Sequence, residues 1–366
     1  MQTYFIKTFG CQMNVADSER IAALYEGKGY KEAENINEAD VIIINTCSVR
    51  QAAEHRVAGL INNLCKLKVK NLKLKIILAG CMLRYPIADL KKKYSGIDEF
   101  LRIEDVGFNL QALRRDKNHA WIPISQGCNN FCSYCVVPYA RGQEKSRPFD
   151  EIVCEVEELV KRGYKEITLL GQNVNSYGKG LDISKIKNQK SKIHIKNEKE
   201  RSLFALLLRQ LSEVPMLEKI KFVTSNPWDL TEDIIEAIKL PKVEKYLHLP
   251  VQSGDDDILK KMNRHYTTKQ YLDLTSRIRK EIPEIRIGTD IIVGFPGESE
   301  KAFKNTVDLC QKVKFCIAYI AQYSPRPGTP AYKMKDDVSH EEKEKRWKIL
   351  DNLINRQKSP LRRISQ

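Results

Sequence analysis

Short runs of consecutive apolar residues alternate with longer segments of mixed polarity along the first hundred positions of the chain. The runs at 41–44 and 76–79 are continuously apolar, which is typical of parallel strands that are buried on both faces. The other elements predicted here are an extended run at 3–9, helical segments at about 14–28 and 49–64, and a helix opened by Pro86. This alternation predicts an N-terminal open parallel α/β domain over residues 1–115.

From residue 121 onward, apolar runs and amphipathic segments alternate at a regular pace. The predicted strands are 121–125, 166–170, 220–224, 246–251, 286–293 and 317–322. The predicted helices are 149–162, 202–212, 231–238, 256–281, 300–313 and 340–356. Six units fall short of the eight in a closed (β/α)8 barrel. We therefore expect a partial (β/α)6 barrel over residues 116–340, open on one side and suited to a large substrate, with a C-terminal helix and tail at 341–366.

Residues 179–201 interrupt this pattern, because they are rich in lysine and asparagine and poor in apolar side chains. Such a composition predicts a surface insertion that lacks a packed core of its own. The alternative is a basic contact for RNA.

Three cysteines lie close together just after the first predicted barrel strand. Cys128, Cys132 and Cys135 have a three-plus-two spacing with no fourth cysteine nearby. Four thiolates would close a structural zinc or iron–sulfur site. Three thiolates can hold a [4Fe–4S] cluster with one iron left open, and an open iron can bind S-adenosylmethionine and pass it an electron. The alternatives are a zinc site completed from elsewhere, or three unrelated thiols.

Three further cysteines each follow a predicted strand of the N-terminal domain. Cys11, Cys47 and Cys81 each lie just past the end of a predicted strand. The carboxyl ends of parallel strands meet at one edge of a sheet, where ligands bind. We therefore expect these thiols to be neighbours in space and to hold a second iron–sulfur cluster. Chance placement at three strand ends is the alternative.

Polar loops follow the remaining barrel strands, at 171–178, 225–227, 252–254, 294–298 and 323–328. In such barrels, functional residues collect on the loops after the strands. Each loop alone is compatible with ordinary turn chemistry. Several of them converging around a cysteine loop favour an active site at this rim.

Composition fits an intracellular enzyme. A chain of 366 residues favours two domains. It has ten cysteines and begins without a secretory signal, so we expect metal-bound thiolates in a reducing cytoplasm. No run reaches the roughly 18 apolar residues that a membrane span requires. The net charge of +15 favours an anionic partner such as nucleic acid, although genomic base composition alone can enrich a chain in lysine.

These motifs closely resemble the radical S-adenosylmethionine methylthiotransferases, in particular their tRNA-modifying branch. The segments that carry the resemblance are 127–142, 146–148, 170–177, 248–254, 262–264, 290–298 and 323–330, together with 8–14, 45–47 and 79–81. The resemblance covers essentially the whole chain. It implies a methylthiotransferase N-terminal domain followed by a radical S-adenosylmethionine barrel.

The resemblance also implies roles for the six cysteines. Cys128, Cys132 and Cys135 are expected to hold the [4Fe–4S] cluster that cleaves S-adenosylmethionine. A second [4Fe–4S] cluster, which carries or relays the inserted sulfur, is expected on Cys11, Cys47 and Cys81. The implied reaction replaces the hydrogen on carbon 2 of an isopentenylated adenosine, next to the tRNA anticodon, with a methylthio group.

Other site residues follow from the same resemblance. We expect Tyr134 to pack near the adenine of S-adenosylmethionine, with a core aromatic as the alternative. The candidates for contacts to polar groups of that cofactor are Gln172, Asn173, Ser225 and Gln252. The candidates for phosphate or carboxylate binding on the rim are Arg141, Arg264 and Arg326, and ordinary salt bridges are the alternative for each arginine.

The implied partners are tRNA and a reducing protein such as flavodoxin or ferredoxin, and we expect a cytoplasmic monomer. Members of this family usually continue into a small RNA-binding β-barrel module called TRAM. We expect that module to be absent here, so that RNA affinity rests on the basic surface. The segment 225–227 departs from relatives, which tend to have a histidine before the proline, and this leaves the role of Ser225 open.

Two alternative functions stay open at this point. One is the sister enzyme that modifies an aspartate of a small-subunit ribosomal protein, although the segments 136–141 and 173–177 argue against it. The other is a non-catalytic iron–sulfur or RNA-binding relative, against which the presence of all six cysteines counts.

Overall fold

The N-terminal domain is a five-stranded parallel sheet between helices. The computed structural model describes residues 1–49, 51–108, 111–181 and 202–356. In chain order, this domain contains β1 (Thr3–Thr8), α1 (Gln12–Gly27), β2 (Lys31–Glu32), β3 (Val41–Thr46), α2 (Gln51–Lys70), β4 (Lys75–Gly80), α3 (Ile87–Lys93), β5 (Glu99–Leu101) and α4 (Ile103–Val106). The strand order is β2-β1-β3-β4-β5.

Strand β3 shows why its sequence is continuously apolar. All six of its residues are buried. Ile42 and Ile44 pack on one face of the sheet with side chains of α2, whereas Val41 and Ile43 pack on the other face with side chains of α1. Because helices cover both faces of the sheet, the side chains on both faces of β3 are removed from water. Each fully buried Val or Ile side chain stabilises the fold by about 1.5–3 kcal/mol.

The second domain is the expected partial barrel of six parallel strands. It contains β6 (His119–Pro123), β7 (Ser125–Gln126), α5 (Val137–Arg141), β8 (Lys145–Ser146), α6 (Phe149–Lys161), β9 (Glu166–Leu170), α7 (Leu203–Ser212), β10 (Lys219–Phe222), α8 (Glu232–Ile238), β11 (Tyr246–His248), α9 (Asp256–Lys261), α10 (Thr268–Glu281), β12 (Arg286–Val293), α11 (Glu300–Val313), β13 (Ile317–Gln322) and α12 (His340–Leu350). Strands β6, β9 and β10 form one parallel group, and β11, β12 and β13 form the other. The segment ahead of β11 joins the groups, because Ile220 pairs with Val243.

The structure corrects one predicted helix. The segment 256–281 was expected to be continuous, but it forms the two helices α9 and α10. Asn263 adopts a left-handed backbone conformation with φ of 56° just after α9, and Thr267 caps α10 through a capping box with Gln270. The break turns Arg264 into the interior, where it is buried.

Several small elements escaped the prediction. The edge strands β2 and β5 are only two and three residues long, and β7 and β8 form a short antiparallel hairpin around the cysteine loop. Helix α12 ends at Leu350 and continues as a π-helical turn, Asp351–Arg356. Most of the expected insertion, 182–201, and the end of the expected tail, 357–366, lie outside the described residues. Within the described ranges, no helix has the length and apolar character that crossing a bilayer requires.

Buried ion pairs fix the two domains to each other. Arg114 Nη1 lies 2.7 Å from Glu19 Oε2 on α1, and its other terminal nitrogen pairs with Glu155 on α6. Arg114 Nη1 also donates to the carbonyl of Trp121 in β6 at 2.6 Å. Removing one partner from such a buried pair costs about 3–5 kcal/mol because the other charge stays buried. Arg114 therefore links the N-terminal domain to the barrel.

Gly80 offers a test of how tightly the strand ends pack. Gly80 and Gly29 both have positive φ, 85° and 84°, so an added side chain strains both backbones similarly. A Cβ on Gly80 would lie 2.5 Å from the Thr46 carbonyl oxygen, whereas a Cβ on Gly29 would meet nothing within 4 Å. We expect Gly80→Ala to lower the free energy of unfolding by about 1–3 kcal/mol more than Gly29→Ala does. Chemical denaturation followed by circular dichroism measures the difference, and equal losses would contradict this packing.

Candidate active site

The loop with Cys128, Cys132 and Cys135 is held in a compact conformation at the carboxyl end of the first barrel strand. It is bracketed by β7 and β8. The Cys128 N–H donates to the Gly142 carbonyl at 3.2 Å, and the Cys135 N–H donates to the Cys132 carbonyl at 2.9 Å. Gly127 has a φ of 81°, and a Cβ there would lie 2.2 Å from the Gln143 carbonyl oxygen. Only glycine fits at the entrance to this loop.

Each thiol of the loop has an N–H group beside it. The Val137 N–H donates to Cys135 Sγ at 3.4 Å, and Arg264 Nη1 lies 3.6 Å from Cys132 Sγ. The Asn130 backbone N–H favours the Cys128 thiolate. Hydrogen bonds to cluster sulfurs are a recurrent feature of iron–sulfur sites. The loop is therefore suited to three thiolate ligands.

Burial works against the free thiolates. It raises the pKa of Cys128 to about 11 and, with added repulsion from Cys132, that of Cys135 to about 12. Thiolate ligands must lose their protons to bind metal, so the positive charge of bound iron is what makes the anionic state favourable here. The donor set and its N–H groups fit an iron–sulfur cluster.

Among the residues that the structure describes, no group of three or more His, Cys, Asp or Glu side chains is placed to hold a single metal ion.

Arg264 lies against this loop instead of on the rim expected from the sequence. Its side chain is buried, and the guanidinium stacks over Trp228 at 4.6 Å. Nη2 donates to the Pro250 carbonyl at 2.8 Å. The adjacent Asn263 donates to the Phe131 carbonyl at 3.1 Å. The turn at 262–264 thus fastens the cysteine loop to the loops after β10 and β11, a role that sequence reasoning missed.

Gln172 and Asn173, two of the residues predicted to contact the cofactor, lie on the loop after β9 and form hydrogen bonds to neighbouring loops. Gln172 Oε1 accepts from the Gly127 N–H at 2.6 Å, at the entrance to the cysteine loop. Asn173 Nδ2 donates to Asp229 at 2.6 Å, and Asn173 Oδ1 accepts from the Asn226 N–H at 3.2 Å. Both side chains hold loops in place, and their contact with S-adenosylmethionine stays a prediction.

Ser225, Gln252 and Tyr134 lie on the same side of the barrel. The Ser225 hydroxyl is buried and has no hydrogen-bond partner within the described chain, which points to a ligand that the side chain would meet. Gln252 has a left-handed φ of 66°, and its backbone pairs with β12. The Tyr134 ring packs against a cluster that includes Met262 and Phe295. Burial and the nearby cysteine thiols raise the pKa of its phenol.

The N-terminal cysteines do meet at one sheet edge. They follow β1, β3 and β4, which are neighbours in the sheet. A Cβ on Gly10 would lie only 2.7 Å from Cys47 Cβ, so the Cys11 segment runs directly beside Cys47. Cys11 and Cys81 both interact with the Arg141 guanidinium. Cys47 and Cys81 are buried, and Cys11 is exposed.

Two asparagines fix this edge, and sequence reasoning had not assigned them. Asn14 Nδ2 donates to Asn45 Oδ1 at 3.1 Å and to the Thr46 carbonyl at 2.9 Å. Asn45 Nδ2 returns a bond of 2.8 Å to the Asn14 carbonyl. Both side chains are fully buried. The sequence did offer one signal for their role, because both asparagines lie in the segments 8–14 and 45–47 that also contain Cys11 and Cys47.

Arg141 and Arg326 are also buried, unlike the rim position expected from the sequence. Arg141 Nη2 lies 2.8 Å from Asp17 Oδ2. Arg326 Nη2 donates to the Ser48 carbonyl at 2.6 Å and pairs with Glu54 at 2.8 Å. Each arginine belongs to the barrel and reaches into the N-terminal domain, where Arg141 binds Asp17 and Arg326 binds Ser48, the residue after Cys47. The carboxylates they bind belong to this chain, and both guanidinium groups are buried instead of exposed on the rim.

A cavity of about 190 Å³ lies between the two domains. From the N-terminal domain it is lined by residues that include Gly80, Cys81, Arg84 and Arg102, and from the barrel by residues that include Gln126, Tyr139, Arg141 and Gly142. Cys81 therefore faces it directly, and the barrel residues flank the cysteine loop. The cavity therefore lies between Cys81 and the segments on either side of the cysteine loop.

Fold and site together define an enzyme of the radical S-adenosylmethionine class. A family model described as "Radical SAM superfamily" matches residues 122–310, and one described as "Uncharacterized protein family UPF0004" matches residues 3–101. The structure of a radical S-adenosylmethionine methyltransferase, TsrM from Kitasatospora setae, is similar with a TM-score of 0.62 at 14% identity, over 90% of this chain and 77% of that chain. At that identity the likeness concerns the fold alone.

The sequence relatives are more specific. A protein of Thermoanaerobacter pseudethanolicus named "tRNA-2-methylthio-N(6)-dimethylallyladenosine synthase" is 45% identical over 96% of this chain and 78% of its own length. A protein of Clostridium tetani with the same name is 43% identical over 97% of this chain and 81% of its own length. The chain belongs to this family of methylthiotransferases.

Gln172 provides a test of the cysteine loop. Gln172→Ala leaves the buried Gly127 N–H without its acceptor, which costs about 1–3 kcal/mol and should loosen the loop. The test uses a chain whose N-terminal cysteines are replaced by alanine, so that only this loop can bind iron. In that chain, we expect Gln172→Ala to lower the iron content and to weaken the electron paramagnetic resonance signal. Gln172→Glu keeps an oxygen at the same position and should retain iron. Full iron in Gln172→Ala would argue against the brace.

Proposed function

We propose that this protein is a tRNA methylthiotransferase that places a methylthio group on carbon 2 of an isopentenylated adenosine at tRNA position 37, next to the anticodon. The observation that carries the proposal is the placement of two three-cysteine sites on either side of one interdomain cavity, which is lined by Cys81 and by the segments that flank the barrel cysteine loop. The family membership of the chain supports the same substrate and reaction. The runner-up, modification of a ribosomal protein aspartate, has no comparable support.

The two cysteine sites have different roles in this proposal. Cys128, Cys132 and Cys135 would hold one [4Fe–4S] cluster, and Cys11, Cys47 and Cys81 would hold the second. When bound, the clusters and S-adenosylmethionine would supply the sulfur atom, the methyl group and the radical that removes the hydrogen. Ser225, whose buried hydroxyl has no partner within the described residues, would contact the cofactor together with Tyr134, Gln172, Asn173 and Gln252.

The chain's own side chains provide positioning and not proton transfer. An aromatic C–H bond has no acidic proton, so general acid–base catalysis has little to act on. Two arginines of the cavity wall, Arg84 and Arg141, are held by hydrogen bonds to Ser48 and Asp17. Close placement of the reacting atoms then contributes most of what the protein adds.

A purine of the anticodon loop can enter such a site. Unpaired bases can be turned out of the stack and held against aromatic side chains at modest energetic cost. Phe131 and Tyr139 are 47% and 43% exposed beside the cysteine loop, and their rings meet edge to face with centroids 6.2 Å apart. Tyr139 also lines the cavity.

The backbone of Phe131 supports a role for this exposed pair in binding. Phe131 has a φ of 46°, a left-handed conformation that costs a non-glycine residue about 1–3 kcal/mol. The bond from Asn263 to its carbonyl helps to hold that conformation. Burial does not repay this strain, since the ring faces water. A base stacked on Phe131 and Tyr139 accounts for it.

Removing either ring should therefore weaken RNA binding. We expect Phe131→Ala and Tyr139→Ala each to reduce the affinity for an anticodon stem-loop by about 1–3 kcal/mol, the worth of one stacked base. Tyr139→Phe keeps the ring and should bind like the parent. The salt dependence of binding should stay unchanged, because no phosphate contact is lost. Fluorescence anisotropy measures both quantities, and wild-type affinity in both alanine variants would exclude the aromatic pair as a stacking surface.

The wider setting belongs to the same proposal. We assign the N-terminal domain to 1–115, the barrel to 116–340 and the C-terminal segment to 341–366. The protein acts as a cytoplasmic monomer and receives electrons from a small reducing protein such as flavodoxin or ferredoxin. Its net charge of +15 favours association with tRNA.

Replacement of single cysteines should separate the two sites. Cys128→Ala should abolish the formation of 5′-deoxyadenosine from S-adenosylmethionine, because one corner of the barrel cluster is lost. Cys47→Ala should keep this cleavage but stop sulfur insertion. Both products are measured by mass spectrometry after anaerobic reaction. Cleavage that persists in Cys128→Ala, or methylthio product from Cys47→Ala, would refute the corresponding assignment.

The decisive experiment is anaerobic turnover of the reconstituted protein with isopentenylated tRNA, S-adenosylmethionine and a reductant. A methylthio adenosine in the digested nucleosides would establish both substrate and chemistry. Formation of 5′-deoxyadenosine without modified nucleoside would leave the radical site standing and reject the tRNA assignment for this chain. Unmodified tRNA without the isopentenyl group is the matched control substrate.

A further inference from the structure

Arg141 connects the cysteine loop of the barrel with the cysteine site of the N-terminal domain. It ends helix α5, which follows Cys135 directly. Its guanidinium crosses the domain boundary and donates through Nη2 to Asp17 Oδ2 on α1 at 2.8 Å. Asp17 is fully buried and also accepts from Arg20 Nη2 at 2.6 Å. The side chain of Arg141 is itself 5% exposed.

The second terminal nitrogen of Arg141 is unused. Nη1 is buried and has no hydrogen-bond partner within the described residues. The other buried arginine nitrogens without a partner there are Nε atoms, each with a single N–H, at Arg20, Arg114, Arg147 and Arg326. Nη1 of Arg141 carries two N–H groups. Buried polar groups are normally paired, so an acceptor is missing at this position.

The position of the guanidinium indicates the kind of acceptor. Arg141 and Cys81 line the same interdomain cavity, and Cys81 follows β4 at the sheet edge where Cys11 and Cys47 also lie. Asp17 is already bonded through Nη2. A domain brace alone would need only Nη2, so Nη1 is left to meet a group at this cysteine site.

We propose that Arg141 is a positioning residue that donates through Nη1 to a sulfur of the cluster held by Cys11, Cys47 and Cys81, and that its charge raises the reduction potential of that cluster. The inference rests on the second cluster of the proposed function. Reduction adds one negative charge to a cluster, so a guanidinium beside it favours the reduced state. Asp17 has the opposite sign and should lower the potential.

The test uses the full chain with Cys128, Cys132 and Cys135 replaced by alanine, so that only the N-terminal cluster is assembled. After anaerobic reconstitution with iron and sulfide, a redox titration followed by electron paramagnetic resonance gives the midpoint potential. We compare this parent with Arg141→Met, which removes the charge and the donors, Arg141→Lys, which keeps the charge, and Asp17→Asn, which removes the opposing charge.

We expect Arg141→Met to shift the one-electron reduction equilibrium at least tenfold toward the oxidised state, about 59 mV. Arg141→Lys should stay closer to the parent but change the resonance spectrum, because an ammonium group donates from a different place. Asp17→Asn should shift the equilibrium toward the reduced state. If Arg141→Met does not retain iron, Asp17→Asn decides the question, because the proposal predicts a shift toward the reduced state and a simple brace predicts none.

Opposite shifts in the arginine and aspartate variants support the proposal. A simple brace between the domains predicts no shift, or shifts of the same sign, since both variants break the same ion pair. Either of those results would overturn the proposal while leaving the second cluster in place. A parent chain that binds no iron would overturn the second cluster and this inference together.

Discussion

The carboxylate of Asp17 is the point on which the arrangement of the site depends. It is fully buried and binds Arg20 of its own helix and Arg141 of the barrel. Two cations around one anion satisfy a charge that would otherwise be costly in the interior. Because Arg141 follows the cysteine loop, this contact sets the distance between two sulfur sites that lie on separately folded domains.

The surroundings of the thiols follow one physical rule. Burial favours the protonated thiol, and nearby N–H groups or guanidinium groups favour the anion. Both cysteine sites combine the two, as the backbone N–H of Val137 at Cys135 and the guanidinium of Arg141 near Cys81 illustrate. Such sites are poor as free thiolates and good as metal ligands. Metal binding and the final packing of the loops are therefore coupled.

Most strands could be predicted from the sequence, because the spacing of apolar residues along a strand reflects which of its faces are buried. The apolar run of β3 and the limits of β9, β12 and β13 agree with the structure. The meeting of Cys11, Cys47 and Cys81 followed from the rule for parallel strand ends. The broken helix at 256–281 was missed because its apolar pattern continues across the turn, although Thr267 and Gln270 carried a capping signal.

The predicted rim positions of Arg141, Arg264 and Arg326 were wrong for a different reason. Arg141 pairs with a carboxylate 124 positions away, Arg264 lies beside a thiol 132 positions away, and Arg326 donates to a carbonyl 278 positions away. Charge in a sequence carries no information on such partners. A buried arginine and a surface arginine look alike until the fold brings their neighbours together.

The exposure of Cys11 would determine how the proposed second cluster reaches the N-terminal site. Cys47 and Cys81 are buried, whereas Cys11 is open to solvent at the start of α1. A donor protein that passes a preassembled cluster by ligand exchange needs one accessible thiolate to begin the transfer. Cys11 meets that need in the folded chain, and the buried cysteines can complete the ligation afterwards. The same opening makes this site the first to encounter oxidants, so loss of cluster should begin at the N-terminal domain.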